Sequence, residues 1–254
     1  MTGPLENMTV LVTRPAHQAE GFCRLVEEAG GRPVRLPVIE IEALSLTEPE
    51  YAALQQPSDC LIFISANAVR IGIDIINRNF PGRLQASRIM AIGRATGSEL
   101  ERHGIEPDLV PPSPYNSEAL LAMPEMKTIS GRSYTIIKGS GGRDYLAEQL
   151  RLRGGRVRGI DVYQRVKPQM DADVLTMFSK SDIAVVAITS VKGLHFLFEM
   201  ATTPQREWLQ ANARFLVPGN RVADAVRDLH IHQAPVVAEN ATDEAMLSRL
   251  IDTA

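Results

Sequence analysis

The feature that most restricts this chain is a pattern that runs through it twice. Val10–Val12, then Arg14-Pro15, a helical stretch and Gly30-Gly31-Arg32, return 124 positions later as Tyr134–Ile137, Lys138-Gly139, a helix to Arg153 and Gly154-Gly155-Arg156. Phe63-Ile64-Ser65 returns at an offset of 125 as Ile188-Thr189-Ser190. Gly93 returns as Gly219, and Ser117–Leu121 as Asp243–Leu247, both at 126. Anchors this close to one offset point to an internal duplication. Within each block a short apolar run is followed by a turn and then by apolar positions at helical spacing, as at Phe22, Leu25, Val26 and Ala29. Such alternation predicts an α/β fold, with parallel sheets covered by helices.

A chain of 254 residues has room for two such domains, each with its own core. Two further stretches, Arg35–Leu44 and Gly159–Pro168, look like isolated extended segments, the second alternating apolar and polar residues until it stops at a proline. Two crossings suit an inserted domain, because a tandem arrangement needs only one linker. The alternation alone leaves both arrangements open. A cleft between the halves would place Tyr163 at its mouth, in the middle of the return crossing.

Bulk properties exclude several classes. The formal net charge of −3 argues against a nucleic-acid binder, so an anionic ligand would have to be held by local groups. Two cysteines, Cys23 and Cys60, do not make a disulfide framework. The start of the chain, Met-Thr-Gly-Pro-Leu-Glu-Asn, has neither the basic nor the apolar region of a signal peptide, and the strongly apolar run Ile183–Ile188 is far short of a membrane span. A cytoplasmic protein is expected, with no nucleic acid or membrane as partner.

In open parallel sheets ligands sit beyond the carboxyl ends of strands, where helix N-termini aim free N–H groups at anions. The residues at those positions are Thr13-Arg14, Ser65-Ala66-Asn67, Gly93-Arg94-Ala95-Thr96, Lys138-Gly139-Ser140, Thr189-Ser190 and Gly219-Asn220. They are mostly small, hydroxylic or basic, a set that suits carboxylates or phosphates. Taken singly, each hydroxyl or amide has the plainer reading of a helix N-cap. Lys138-Gly139-Ser140-Gly141-Gly142-Arg143 lacks the Gly-Lys-Ser/Thr of a Walker loop, and Asp144 stands where Gly-x-Gly-x-x-Gly needs its last glycine. It reads as a tight anion-accommodating turn in which Lys138 and Arg143 could meet a carboxylate. His230-x-His232 lacks a third ligand and is not read as a metal site. Tyr163 is either a strand residue of high β propensity or a phenol able to donate a hydrogen bond to a departing hydroxyl.

Together, Val10-Leu-Val-Thr-Arg-Pro15, Phe63-Ile-Ser-Ala-Asn-Ala-Val69, Ala91-Ile-Gly-Arg-Ala-Thr96, Asn116-Ser-Glu-Ala-Leu-Leu121, Gly154-Gly155, Val162-Tyr163-Gln-Arg165 and Ile188-Thr-Ser190 resemble the uroporphyrinogen-III synthase family, in order and spacing, over about residues 9–250. The resemblance implies a discontinuous first domain of 1–36 plus 168–254 and an inserted second domain, 45–158. The two would be joined by a two-strand antiparallel linker of 37–44 and 159–167. It implies a cyclising lyase of tetrapyrrole (haem and sirohaem) biosynthesis, which closes linear hydroxymethylbilane with loss of water and inversion of the last pyrrole ring. No metal or cofactor is implied. Tyr163 falls on the family's tyrosine in the return strand, the candidate donor to the leaving hydroxyl. Ser65, Thr96, Lys138 and Ser190 match cleft-facing motif positions; Arg14, Asn67, Gly139 and Arg143 complete the candidate substrate-binding set. Where the family often has Thr-Ala, this chain reads Gly219-Asn220-Arg221-Val222-Ala223, so a hydroxyl contact there is lost or moved to Asn220. A monomer is implied, with transient contact to hydroxymethylbilane synthase an open expectation.

Two other classes share these features. A two-lobed binding protein could hold an anionic metabolite without transforming it, and a fused pair of α/β units could be an interaction module. Stabilisation by tetrapyrrole carboxylates would separate the module from the other two.

Overall fold

The computed structural model of the chain describes residues 3–82, 84, 87–168 and 183–253. The chain divides into two compact units, Met1–Glu40 with Val166–Ala254, and Ile41–Arg165. It opens with β1 (Thr9–Val12), α1 (Ala16–Glu28) and β2 (Arg32–Arg35). Next come β3 (Glu40–Ala43), α2 (Glu48–Gln55), β4 (Cys60–Phe63), α3 (Ala66–Asn79), β5 (Arg88–Ala91), α4 (Arg94–Arg102) and α5 (Ser117–Ala122). These are followed by β6 (Ser133–Gly139), α6 (Tyr145–Leu152) and β7 (Arg156–Val166). The last part carries β8 (Ile183–Ala187), α7 (Val191–Met200), α8 (Thr203–Asn212), β9 (Arg214–Val217), α9 (Asn220–Asp228), β10 (Val236–Val237) and α10 (Asp243–Ile251).

The first unit holds a five-stranded parallel sheet in the order β10-β9-β8-β1-β2. All four residues of β1 are buried, as an apolar run without alternation requires when both faces of a strand are covered. α1 lays Ala19, Phe22, Cys23 and Val26 on one side of this sheet, in a core shared with Met246 and Leu250 of α10. The second unit's sheet runs β3-β7-β6-β4-β5, with β7, β6, β4 and β5 parallel. Ile73 and Ile76 of α3 cover one face together with Phe63 and Ile137, while Leu146 and Leu150 of α6 cover the other with Ile62 and Ile136.

The stretch 159–167, which the sequence marks as a free-standing crossing, is through Tyr163 an interior part of the second sheet, paired with β6 from Ser133↔Arg156 to Gly139↔Tyr163. On its other side the Leu44 N–H donates to the Val162 carbonyl at 3.0 Å and Gln164 donates to the Glu42 carboxylate at 2.7 Å. Residue numbers rise on one strand as they fall on the other, so β3 and β7 are antiparallel. A two-strand ribbon alone leaves half its backbone groups to water; joining the sheet satisfies them.

The two sheets have the same order under the repeat offset. β1 and β2 correspond to β6 and β7, β8 and β9 to β4 and β5, and a bridge of Met90 to Leu109 stands where β10 joins β9. Local geometry corresponds too. Gly30 and Gly154 end their helices at φ 87° and 84°, a left-handed turn that glycine adopts without a Cβ clash. The Gly31 and Gly155 N–H groups then both bond back at 2.9 Å, to Val26 and Leu150. Ser65 and Ser190 cap α3 and α7 by accepting from Ala68 and Gly193, each at 3.0 Å. In both sheets the order reverses between two central strands, β1 and β8 in one, β6 and β4 in the other. That reversal is where open α/β sheets form their ligand crevice.

Candidate functional site

In the second unit the reversal point lies between the carboxyl ends of β4 and β6, beside β7. The pairing of β6 with β7 is regular to Lys138↔Asp161 and then slips, so that Gly139 stands opposite Tyr163 and Val162 has no partner of its own. One extra residue on a strand is a β-bulge, and it turns the next side chain to the opposite face. Val162 and Tyr163, although adjacent, both join the core beneath α3. Without the bulge Tyr163 would share the face of Asp161 and Lys138. With it the ring packs on Gly139, where a Cβ would lie 2.4 Å from the nearest ring carbon. Any side chain at 139 would displace the tyrosine.

The Tyr163 phenol oxygen lies 3.1 Å from the Ser65 hydroxyl and accepts from Nη2 of Arg165 at 3.0 Å. The guanidinium carbon sits 5.2 Å from the centre of the same ring, a cation–π distance. Ser65 is placed by its cap of α3, and the Tyr163 carbonyl accepts from Ser140 N–H at 2.8 Å. Tyr163 is 1% exposed. The sequence places it in the middle of a free-standing return crossing; the bulge and the sheet pairing instead bury it.

Ser65, Gly139 and Tyr163 are thus brought together, and the other sequence candidates of this unit are not part of the same cluster. Asn67 is buried and its carbonyl oxygen accepts from Arg70, which in turn lies 3.8 Å from Glu99 on α4. Thr96 is buried in the first turn of α4. Lys138 pairs with Asp144 at 2.7 Å and Asp161 at 3.8 Å. Arg143 is exposed and faces Glu118 at 3.7 Å. Arg165 belongs to the cluster but not to the candidates. Its signal was present: Tyr163 and Arg165 are two apart on a strand, which puts them on one face.

The charges behind Lys138 are unevenly satisfied. One Asp161 carboxylate oxygen is buried without a hydrogen-bond donor. Burial pushes this carboxyl above the usual range and Lys138 pulls it back, while Glu50 and Asp144 push it up again. Glu50 goes the other way. Burial raises it, but donors from the Thr47 side chain, the Thr47 N–H and the Asp161 N–H together bring it below its ordinary value.

In the first unit, the reversal point is closed by Thr13, whose hydroxyl donates to the Ala187 carbonyl at 2.7 Å. Arg14 is ion-paired with Asp243, donates to the Ala241 carbonyl at 3.0 Å and lies over the Phe22 ring. Ser190 caps α7. Each unit therefore carries a capped helix and a small or hydroxylic residue at its reversal point, and among the described residues only the second adds a phenol with its own cation.

A family profile described as uroporphyrinogen-III synthase HemD matches residues 21–248. The chain belongs to the uroporphyrinogen-III synthase family. The uroporphyrinogen-III synthase of Escherichia coli K12 is 30% identical over 247 residues, covering 96% of this chain and all of that protein. That of Chlorobaculum parvum is 28% identical, covering 75% and 78%. Among solved structures, the uroporphyrinogen-III synthetase of Helicobacter pylori 26695 aligns with a TM-score of 0.66 at 13% identity, covering 97% of this chain and 100% of that one. A mutant uroporphyrinogen III synthase from the extremely thermophilic bacterium Thermus thermophilus aligns at 0.63 with 22% identity and 97% coverage of each. At such identities these two alignments speak for the uroporphyrinogen-III synthase fold alone, and the sequence matches carry the family.

Proposed function

We propose that this chain closes hydroxymethylbilane to uroporphyrinogen III, with loss of water and inversion of the last pyrrole ring. Membership of the family supports the reaction, and the observation that supports the residue assignment is the phenol of Tyr163 gathered with Ser65 and Arg165 at a sheet reversal point. The electron-rich pyrrole expels the hydroxyl with little help, so the protein's task is to supply a proton to the departing oxygen and to hold the chain in the geometry of one closure mode. Tyr163 is the proposed proton donor. Its burial means that the hydroxyl must be uncovered as substrate enters. The polycarboxylate is held by hydroxyl and basic side chains of the candidate set. Of that set, Ser65 is the member placed against the phenol.

A monomeric, cytoplasmic enzyme, with transient contact to hydroxymethylbilane synthase, completes the proposal. Among the described residues no helix is long and apolar enough to cross a membrane. The test is to generate hydroxymethylbilane in situ with the preceding deaminase, add the protein, oxidise and separate the uroporphyrin isomers. The type III isomer is expected in place of the symmetric type I of spontaneous closure. Type I alone, from folded protein, would reject the synthase and favour the binding protein.

A further inference from the structure

We propose that Arg165 is a positioning residue for Tyr163, one that aims the phenolic proton for transfer and holds the charge left on the oxygen when that proton departs. This rests on the reading of Tyr163 as the donor.

A guanidinium only donates, so Nη2 of Arg165 at 3.0 Å fixes one side of the phenol oxygen as an acceptor. The Ser65 hydroxyl, 3.1 Å away, already accepts from the Ala68 N–H and keeps one proton and one lone pair for the phenol. Two states follow. With Ser65 accepting, the phenolic proton is held on the serine. With Ser65 donating, the phenol oxygen receives two hydrogen bonds and its own O–H is free for a substrate oxygen. Rotation of one hydroxyl converts the first state into the second, and the Arg165 bond is common to both. The guanidinium over the ring and Gly139 against it restrict the ring as well.

The step balances. The bond from carbon to the substrate hydroxyl breaks with its electron pair going to oxygen, and that oxygen takes the Tyr163 proton and leaves as water. The electron pair of the former O–H stays on the phenol oxygen, while the pyrrole carries the positive charge. Ring closure with inversion then forms two carbon–carbon bonds and breaks the one that joined the last ring to its neighbour, and the proton displaced from the pyrrole carbon returns to the phenolate. Between those events, the N–H of Arg165 and the O–H of Ser65 sit on the charged oxygen, already oriented, as donors to a developing charge must be.

The test is a double-mutant cycle on type III formation, with Arg165→Gln, Tyr163→Phe and the double variant, each checked by thermal unfolding. Arg165→Gln is expected to lower kcat by about tenfold with KM little changed, less than the ~100- to 1,000-fold of a lost oxyanion donor because Ser65 remains. Arg165→Lys, which keeps the charge but not the planar fork, should fall between. In the Tyr163→Phe background the same Arg165→Gln change should cost less than about twofold, since residues that act through one group are not additive. Equal losses in both backgrounds, or a raised KM at unchanged kcat, would overturn the proposal and make Arg165 an independent substrate ligand. If Tyr163→Phe alone turned over like wild type, the donor reading would fall and take this inference with it. A slow Tyr163→Phe with additive losses would reject only Arg165. Should the glutamine variant fail to fold, Arg165→Lys carries the cycle.

Discussion

Arg14, just past β1, is ion-paired with Asp243 in the first turn of α10, 229 positions further along the chain. Their side chains are 10% and 25% exposed. The pair ties the opening of the first unit to its closing helix, and the acid also sits where the positive end of a helix dipole favours it. Gly21 leaves room for it: a Cβ there would come within 2.4 Å of the Asp243 carboxylate. Arg14→Ala should therefore lower stability by about 2 kcal/mol, below the 3–5 of a fully buried pair, as read from chemical denaturation. Unchanged stability with a raised KM would make substrate binding, not this tie, the role of Arg14.

Tyr163→Phe should slow turnover to the low end of the ~100- to 10,000-fold range for a lost general acid, because the pyrrole nitrogen itself drives out the hydroxyl. A buried hydroxyl with two partners also contributes to folding, so a loss of about 1 kcal/mol is expected alongside. Single-turnover formation of type III and a denaturant titration read the two effects separately.

Gly139→Ala tests the bulge. Its Cβ would meet three ring atoms of Tyr163 between 2.4 and 2.8 Å, and neither the ring nor the paired strand can give way freely. Destabilisation of about 1–3 kcal/mol is expected, together with a kcat as low as that of Tyr163→Phe. A fully active alanine variant would mean that the ring position seen here is not the working one.

Asp161 gives the pH dependence. Burial raises its carboxyl in the folded chain, so the folded state binds that proton more tightly than the unfolded one. Its contribution to stability is then lost as pH rises from the unfolded carboxylate value through the folded one. At neutral pH the ionised group is a liability, with one oxygen unsatisfied. Asp161→Asn should raise the melting temperature at pH 7, and the gain should shrink as pH falls through the raised folded value and be gone below the ordinary carboxylate value near ~4. Lys138 keeps Asp144, so no new unpaired charge is created. A gain constant across that range would show that titration is not its source.

The parts of this architecture written locally were legible. Val10–Val12 and Cys60–Ile64 announce buried parallel strands because they have no polar alternation, and Gly30 and Gly154 announce helix ends because the turn demands a positive φ. Ser65 and Ser190 cap their helices, one of the two readings that the sequence left open for each. Features that depend on register were not legible. The regular alternation of Ile160, Val162 and Val166 conceals the bulge, since the extra residue shows only against β6. Arg165 shares a face with Tyr163 in any register, but which face that is, and so the approach of Tyr163 to Ser65, is set by the bulge. Lys138 and Arg143 look like free cations in sequence, and their acids at 161 and 118 arrive from other elements. The shared strand order and caps are what a duplicated unit would leave, and a duplication remains our proposal for them.

Each sheet draws strands from both halves of the chain: β1 and β2 wait for β8 to β10, as β4 and β5 wait for β6 and β7. During synthesis these waits differ in length. The second unit can close when residue 166 leaves the ribosome, whereas β1 keeps a bare edge, on an apolar strand, until β8 begins at residue 183. At ~5–20 residues per second, the intervening stretch of about 150 residues takes roughly 7–30 s. An unpaired edge is a template for pairing with other chains. The second unit should therefore be the first to become protease-resistant on the ribosome, and how much soluble protein a cell recovers depends on how that edge is shielded while translation finishes.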